Sequence, residues 1–197
     1  MSDPVDDLGA DVVAPPPGGS RLALVASVVA AVLVLLLVVV LATRDPSTAR
    51  ATQSPLIGRV APTTEGVTLD GGSVALSDHR GRWVMLNFFA SWCIPCQTEH
   101  PQLAAFDAAH REEGDAVLVA VTFDDRADDA RAFFERNGGD WPVIDDPDNA
   151  IGVAYGVAQV PETFVIAPSG IVVQRFAGAV TRADLEAVMA AYEAEQP

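Results

Sequence analysis

The sequence contains no lysine, so all 12 of its basic residues are arginines, and 27 acidic residues outnumber them. The formal net charge of −15 repels phosphate backbones, which argues against nucleic-acid binding and is typical of a solvated acidic surface. Cysteine is also scarce, because Cys93 and Cys96 are the only two. A small domain held together by disulfides normally spreads several cysteines along its sequence, so this pair indicates redox chemistry or metal binding instead.

Charged residues are absent from 22–42, which are almost entirely apolar. As a helix this segment would extend about 32 Å, enough to cross a hydrocarbon core of about 30 Å. It is also longer than the apolar region of a cleaved secretory signal, which has about 7–15 residues. We therefore predict a transmembrane anchor over 22–42, a disordered cytoplasmic tail over 1–21 and a linker over 43–58.

The remaining residues, 59–197, show the patterns of a folded α/β domain. Long apolar runs indicate buried strands, Gly-containing turns indicate hairpins, and Thr181 with Asp184 resembles the capping box of a final helix. The predicted elements are a hairpin over 67–76, a strand over 83–89, a helix over 93–112 with a kink at Pro101, a strand over 116–123, a helix over 127–137, a short strand over 141–144, a hairpin over 163–176 and a helix ending near 195. This order predicts a mixed central sheet flanked by helices.

Cys93 and Cys96 form a Cys-x-x-Cys motif that would open a helix directly after a buried strand. Partial positive charge and unpaired N–H groups at a helix N-terminus stabilise a thiolate. Cys93 is therefore predicted to be the exposed nucleophile. Cys96 lies one turn later on the same face, where it would be shielded and would resolve a mixed disulfide. Pro95 suits the first turn, where its missing N–H costs little.

Metal binding is the other use of such a motif, because zinc sites also contain Cys-x-x-Cys. A closed zinc site needs four ligands, and His100 could supply only a third. His79 and His110 lack a suitable spacing. We therefore predict no metal and no other cofactor, and we interpret the three histidines as ordinary surface residues.

The segment Asn87–Cys96, NFFASWCIPC, followed by Glu99, resembles the thioredoxin-like TlpA, ResA and DsbE/CcmG family of membrane-anchored thiol–disulfide oxidoreductases. The resemblance covers roughly residues 55–195 and includes Gly81 and the segment Val160–Phe164, VPETF. It implies a thioredoxin-like fold for the C-terminal domain.

The resemblance also implies roles for residues beyond the two cysteines. Pro161 aligns with the cis-proline that packs beside the redox pair, although spacing alone would favour a trans peptide. Glu99 is implied to handle protons, because Asn87 stands where conventional thioredoxins carry a buried Asp. Glu162 is either a contact for a partner or a solvent-facing strand residue. The implied substrate-binding residues are Trp92, Val160 and Glu162.

The function that the resemblance implies is reduction of protein disulfides outside the cytoplasm. The expected substrates include the cysteine pair of apocytochrome c before haem attachment, and an integral membrane thiol electron donor would restore the dithiol. Arg21 precedes the anchor, whereas Arg44 and Arg50 follow it, which slightly favours a cytoplasmic domain. The resemblance outweighs this asymmetry. We expect a single-pass cell-membrane protein, held in the bilayer by 22–42, with an extracytoplasmic C-terminal domain.

Proteins with other functions share parts of this sequence pattern. An oxidant that introduces disulfides would run the same chemistry in reverse, and only the reduction potential separates the two. A copper-delivery protein is less favoured, because such relatives carry Cys-x-x-x-Cys and a distant His, whereas no His follows His110. A thiol peroxidase is disfavoured because Ala90, rather than Thr, lies three residues before Cys93.

Overall fold

The computed structural model describes residues 21–43 and 50–195. The chain divides into two compact units, Met1–Asp45 and Pro46–Pro197. In the first unit the described residues form one helix, α1 (Arg21–Thr43), which presents exposed apolar side chains. Among the described residues, no helix meets the combined length and hydropathy of a membrane-spanning segment. Apart from Arg21, the tail predicted over 1–21 lies outside the described residues.

The second unit contains a six-stranded sheet, a separate hairpin and four helices among its described residues. The strands are β1 (Arg50–Ala51), β2 (Glu65–Val67), β3 (Ser73–Ala75), β4 (Trp83–Phe89), β5 (Ala116–Thr122), β6 (Val143–Ile144), β7 (Glu162–Ile166) and β8 (Val172–Ala177). The helices are α2 (Ile94–Glu113), α3 (Ala127–Asn137), α4 (Ala150–Tyr155) and α5 (Arg182–Ala194), and a 3₁₀ turn spans Leu76–His79.

The sheet has the strand order β1-β8-β7-β4-β5-β6, and β2 pairs only with β3. Strand β4 runs parallel to β5 and antiparallel to β7, which confirms the predicted mixed sheet. Every residue of β4 is buried, because the sheet carries a packed layer on each face. Met85 packs with Leu103 and Phe106 of α2, whereas Leu86 packs in the opposite layer with Phe164.

The predicted strands and helices are confirmed with shifts of one or two residues at most ends, and three elements were missed. These are β1, the 3₁₀ turn and α4. The linker predicted over 43–58 is wrong in part. Thr43 belongs to α1, and Arg50 and Ala51 pair with Ala177 and Phe176 of β8. Backbone pairing at a sheet edge needs no apolar pattern, so the composition of this segment concealed it.

Candidate active site

Cys93 occupies the N-cap position of α2, directly after the turn that follows β4. It forms a disulfide with Cys96, with 5.2 Å between the two Cα atoms. The backbone N–H of Cys96 points at Cys93 Sγ, 3.2 Å away. Pro95 lies in the first turn of the helix, as predicted. The N-terminus of α2 therefore presents a positive partial charge to the sulfur that would become a thiolate.

Both cysteines are 3% exposed in this disulfide form. The predicted contrast between an exposed Cys93 and a shielded Cys96 is therefore not seen in the oxidised protein. Both residues belong to the core layer that also contains Phe89 and Leu103. The disulfide holds Cys93 Sγ against the first turn of the helix, which removes it from solvent.

Pro161 lies at the same end of the sheet as the cysteines. It precedes β7, whose Glu162 pairs with Phe88 near the end of β4. The Val160–Pro161 peptide bond is cis, which confirms the isomer implied by the family resemblance. Pro161 is buried, and Val160 is half-buried against both core layers.

Two exposed apolar side chains border the disulfide. Trp92 is 58% exposed and Ile94 is 73% exposed. The Trp92 indole N–H donates a hydrogen bond to the Asp124 carbonyl oxygen at 3.0 Å, which fixes the edge of the ring. The sequence singled out Trp92 but not Ile94, although a residue between the two cysteines has little room to be buried. Exposed apolar residues beside a reactive group are suited to contact a partner.

Glu99 is 1% exposed, one turn after Cys96. Its carboxyl oxygens accept hydrogen bonds from Asn87 Nδ2 and from the backbone N–H of Val180, each at 2.9 Å. Burial raises the pKa of Glu99 to about 8, against the opposing effect of these two donors. The structure thus brings Asn87 and Glu99 together, and it leaves Glu99 able to hold a proton at neutral pH.

Glu162 is also buried, but it has a cationic partner. Arg175 donates from Nε and Nη2 to its two carboxylate oxygens, each at 2.9 Å. The expectation of a solvent-facing residue is therefore wrong, and the carboxylate is already occupied where a substrate contact was implied. The reason is the neighbouring strand β8, which places Arg175 beside β7.

The interpretation of all three histidines as surface residues is wrong for His100. This side chain is buried among the rings of Phe133, Phe134 and Trp141, and its Nε2 lies 2.9 Å from the Gly138 carbonyl oxygen. Burial lowers the pKa of His100, so the ring is a neutral core residue.

Among the described residues, one group of three could bring ligand atoms together around a metal ion. It consists of His110, Glu113 and Asp115, near the C-terminal end of α2. None of the three lies near the N-terminal turn of the helix, so the group is separate from the disulfide.

A loop that the sequence analysis did not single out contacts the active-site turn. The Asp125 carboxylate accepts hydrogen bonds from the backbone N–H of Ser91 at 2.6 Å and from Ser91 Oγ at 3.0 Å. The signal was available, because polar residues that follow neighbouring parallel strands meet at one edge of a sheet. Strands β4 and β5 are such a pair.

We predict that Glu99→Gln changes how stability depends on pH. The pKa of Glu99 is about 8 in the folded protein, whereas an unperturbed glutamate has a pKa of 4.5. Proton binding by Glu99 therefore stabilises the folded state. This stabilisation is fully present below about pH 4.5 and is lost as pH rises through about 8. Relative to Glu99→Gln, the free energy of unfolding of the wild type should fall by several kcal/mol between those limits, at most about 1.4 kcal/mol per pH unit.

Urea unfolding at a series of pH values measures this difference. Glu113→Gln, an exposed substitution on the same helix, is the matched control and should follow the wild type. Parallel stability profiles for the wild type and Glu99→Gln would show that Glu99 does not hold its proton in the folded protein.

Comparison with known proteins agrees with this geometry. Residues 57–175 match the AhpC/TSA family. The thiol–disulfide oxidoreductase ResA of Geobacillus kaustophilus is 34% identical over 130 residues, which are 66% of this chain and 74% of ResA. The thiol:disulfide interchange protein HelX of Rhodobacter capsulatus is 34% identical over 135 residues, covering 66% of this chain and 73% of HelX.

Solved structures show the same fold. A Chlorobium tepidum protein assigned as the thiol:disulfide interchange protein DsbE has 32% identity and a TM-score of 0.60, over 68% of this chain and 94% of its own. A DsbF homologue from Corynebacterium diphtheriae has 25% identity and a TM-score of 0.63, over 75% of this chain and 96% of its own. The chain therefore belongs to the AhpC/TSA family, as a homologue of the thiol–disulfide oxidoreductase ResA and the interchange protein HelX.

Proposed function

We propose that this thiol–disulfide oxidoreductase reduces disulfides of protein substrates outside the cytoplasm. The observation that carries the proposal is the Cys93–Cys96 disulfide at the N-terminus of α2, at the sheet end where cis-Pro161 lies. An exchange reaction needs a stabilised thiolate with a second thiol in reach, and this turn supplies both. The similarity to ResA and HelX supports the same chemistry.

The reaction transfers two electrons from the dithiol to the substrate. The Cys93 thiolate attacks one sulfur of a substrate disulfide, and the other substrate sulfur leaves as a thiolate that takes up a proton. Cys96 then loses its proton and attacks Cys93 Sγ. This step releases the second substrate sulfur as a thiolate, which is protonated in turn, and it forms the Cys93–Cys96 disulfide again. The substrate leaves as a dithiol.

Glu99 is the proposed partner for proton exchange with Cys96. The two residues are three positions apart on α2, so they share a face of the helix. A carboxyl group whose pKa is raised to about 8 by burial is poised to exchange protons with a thiol of similar pKa. Asn87 and the Val180 backbone hold the carboxyl group in place through both of its oxygens.

The proposed substrate surface is the apolar border of the disulfide. Trp92 and Ile94 are exposed on the active-site turn, and half-buried Val160 precedes the cis peptide bond. Apolar contacts of this kind bind an extended segment of polypeptide without demanding one sequence. Glu162 acts indirectly, because its ion pair with Arg175 fixes the start of β7 beside Pro161.

The proposed location is the cell membrane, with the C-terminal domain extracytoplasmic. Support for an anchor comes from the uncharged apolar sequence over 22–42. Support for the outer side comes from the family resemblance and from the oxidising compartments in which protein disulfides persist. The proposed partners follow from the same resemblance: apocytochrome c as substrate and an integral membrane thiol protein as electron donor.

We predict that Cys96→Ser traps mixed disulfides with protein substrates. Without the resolving thiol, the bond between Cys93 and the substrate has no internal pathway for release. Non-reducing electrophoresis of cells treated with an alkylating agent should show adducts that a reductant dissolves, and mass spectrometry should identify apocytochrome c among them. Cys93→Ser is the control and should form none. Adducts in Cys93→Ser alone would reverse the two roles.

The direction of electron flow has its own test. If the protein is a reductant, the reduction potential of its Cys93–Cys96 pair should be low, near the value of about −270 mV found for thioredoxin. A strong oxidant of this fold has a potential near about −120 mV. The measurement is the fraction of Cys93–Cys96 dithiol across a series of dithiothreitol or glutathione ratios. A potential near the upper value would identify an enzyme that introduces disulfides.

The topology prediction concerns the full chain in cells. After mild reduction, a membrane-impermeant maleimide should label Cys93 once the outer barriers are opened and while the inner membrane is intact. A variant with Cys93→Ser and Cys96→Ser controls for background labelling. Labelling that appears only after the inner membrane is lysed would place the domain in the cytoplasm, as the arginine asymmetry suggests.

A further inference from the structure

The loop between β5 and α3 is hydrogen-bonded to the active-site turn at successive residues. The backbone N–H of Phe123 donates at 2.9 Å to the carbonyl oxygen of Phe89, the last residue of β4, which continues the pairing of β4 with β5. The Asp124 carbonyl oxygen accepts the indole N–H of Trp92. Asp125 accepts both the backbone N–H and the hydroxyl of Ser91. Two successive residues of this loop, Asp124 and Asp125, are therefore hydrogen-bonded to the active-site turn.

The Asp125 contact with Ser91 is the strongest of these. A carboxylate that accepts a backbone N–H forms a charge-assisted hydrogen bond, and the 2.6 Å distance is short for its type. The same carboxylate also accepts the backbone N–H of Arg126, the residue before α3, at 2.9 Å. On the other side, the Ser91 carbonyl oxygen accepts Gln97 Nε2 of α2 at 2.9 Å. Ser91 is therefore fixed through its backbone N–H, its backbone carbonyl and its hydroxyl.

Backbone strain marks the same loop. Asp124 and Asn149 are the non-glycine residues with positive φ in the described part of the chain, at 48° and 52°. One hydrogen bond joins the two residues: the Asp124 backbone N–H donates to Asn149 Oδ1 at 3.0 Å. Such conformations cost about 1–3 kcal/mol and persist where the surroundings over-determine them, often at functional sites. Asn149 thus holds the loop at the residue next to Asp125.

We infer that Asp125 is a positioning residue for Cys93. Ser91 precedes Cys93 by two residues, so its backbone sets the direction in which Cys93 leaves the turn and caps α2. The alignment of Cys93 Sγ with the Cys96 N–H depends on this direction. By holding Ser91, the Asp125 carboxylate keeps the sulfur where the helix N-terminus stabilises its thiolate. This inference rests on the proposed exchange chemistry but on no particular substrate, direction or location.

Three variants separate positioning from charge. Asp125→Ala removes the carboxylate and its bonds to Ser91. Asp125→Asn removes the charge but keeps an oxygen for the Ser91 N–H and an amide for its hydroxyl. Ser91→Ala removes only the hydroxyl bond. The exposed substitution Asp129→Asn in the first turn of α3, where Asp129 pairs with Arg126, is the control for the loss of one nearby charge.

The measurement is the rate at which the reduced protein attacks oxidised glutathione, with the pH dependence of Cys93 alkylation alongside it. Asp125→Ala should react about tenfold more slowly than the wild type and Ser91→Ala about threefold, since the net contribution of one hydrogen bond is on this scale. Asp125→Asn keeps a partner for both Ser91 groups, so it should react within about twofold of the wild type, as should Asp129→Asn. Asp125→Ala should also raise the pKa of the Cys93 thiol. A loss of loop packing that left Cys93 in place would not change this pKa.

Two results would overturn the inference. Asp125→Ala could react at the same rate as Asp129→Asn, or Asp125→Asn could be as slow as Asp125→Ala, which would make charge rather than position the cause. If Asp125→Ala does not fold, Ser91→Ala decides the matter, because a wild-type rate and alkylation profile in that variant would equally refute the positioning role. Small-disulfide exchange is independent of the physiological partner, so failure of the proposed reductase function would leave this test unaffected.

Discussion

Burial of β4 on both faces is the constraint on which the active site depends. The strand lies between β5 and β7 in the middle of the sheet, and its side chains enter two separate core layers. Its end is therefore one of the least movable points in the domain. The chain leaves this point through a short turn and enters α2 at Cys93. The two cysteines thus follow a rigid strand, and only the few residues of the turn between β4 and α2 must be held by other contacts.

Two buried glutamates at this end of the sheet show how surroundings decide the role of a carboxyl group. Glu162 is neutralised by Arg175 and supports the start of β7. Glu99 instead accepts its hydrogen bonds from neutral donors, Asn87 and Val180. Burial raises the pKa of Glu99, and these neutral donors offset that effect only in part. The same residue type therefore forms an ion pair in one place and accepts hydrogen bonds from neutral donors in the other.

Local signals in the sequence were sufficient for most of the fold, because long apolar strands and a capped final helix depend on neighbouring residues. The capping box of Thr181 and Asp184 is an example that the structure confirms. The missed elements depend on tertiary contacts. Helix α4 has six residues, too few for a helical period to appear, and its N-cap residue, Asn149, has a left-handed backbone.

The same reason explains the errors at individual side chains. His100 became a core residue because Phe133, Phe134 and Trp141 surround it from other parts of the chain. Arg175, the partner of Glu162, lies on the next strand. The cis peptide before Pro161 could be predicted only from the family resemblance, since the isomer is not encoded in any spacing.

The 3% exposure of the two cysteines has a consequence for how electrons enter the oxidised protein. An incoming thiolate must reach a sulfur atom to exchange with it, and this disulfide offers almost no surface to thiols in free solution. Trp92 and Ile94 are the exposed neighbours that a protein would meet first. A partner that binds them can bring its own thiolate to the disulfide, whereas a small thiol gains nothing from them. Burial of the disulfide thus favours exchange with the thiolate of a bound protein over exchange with small thiols in solution.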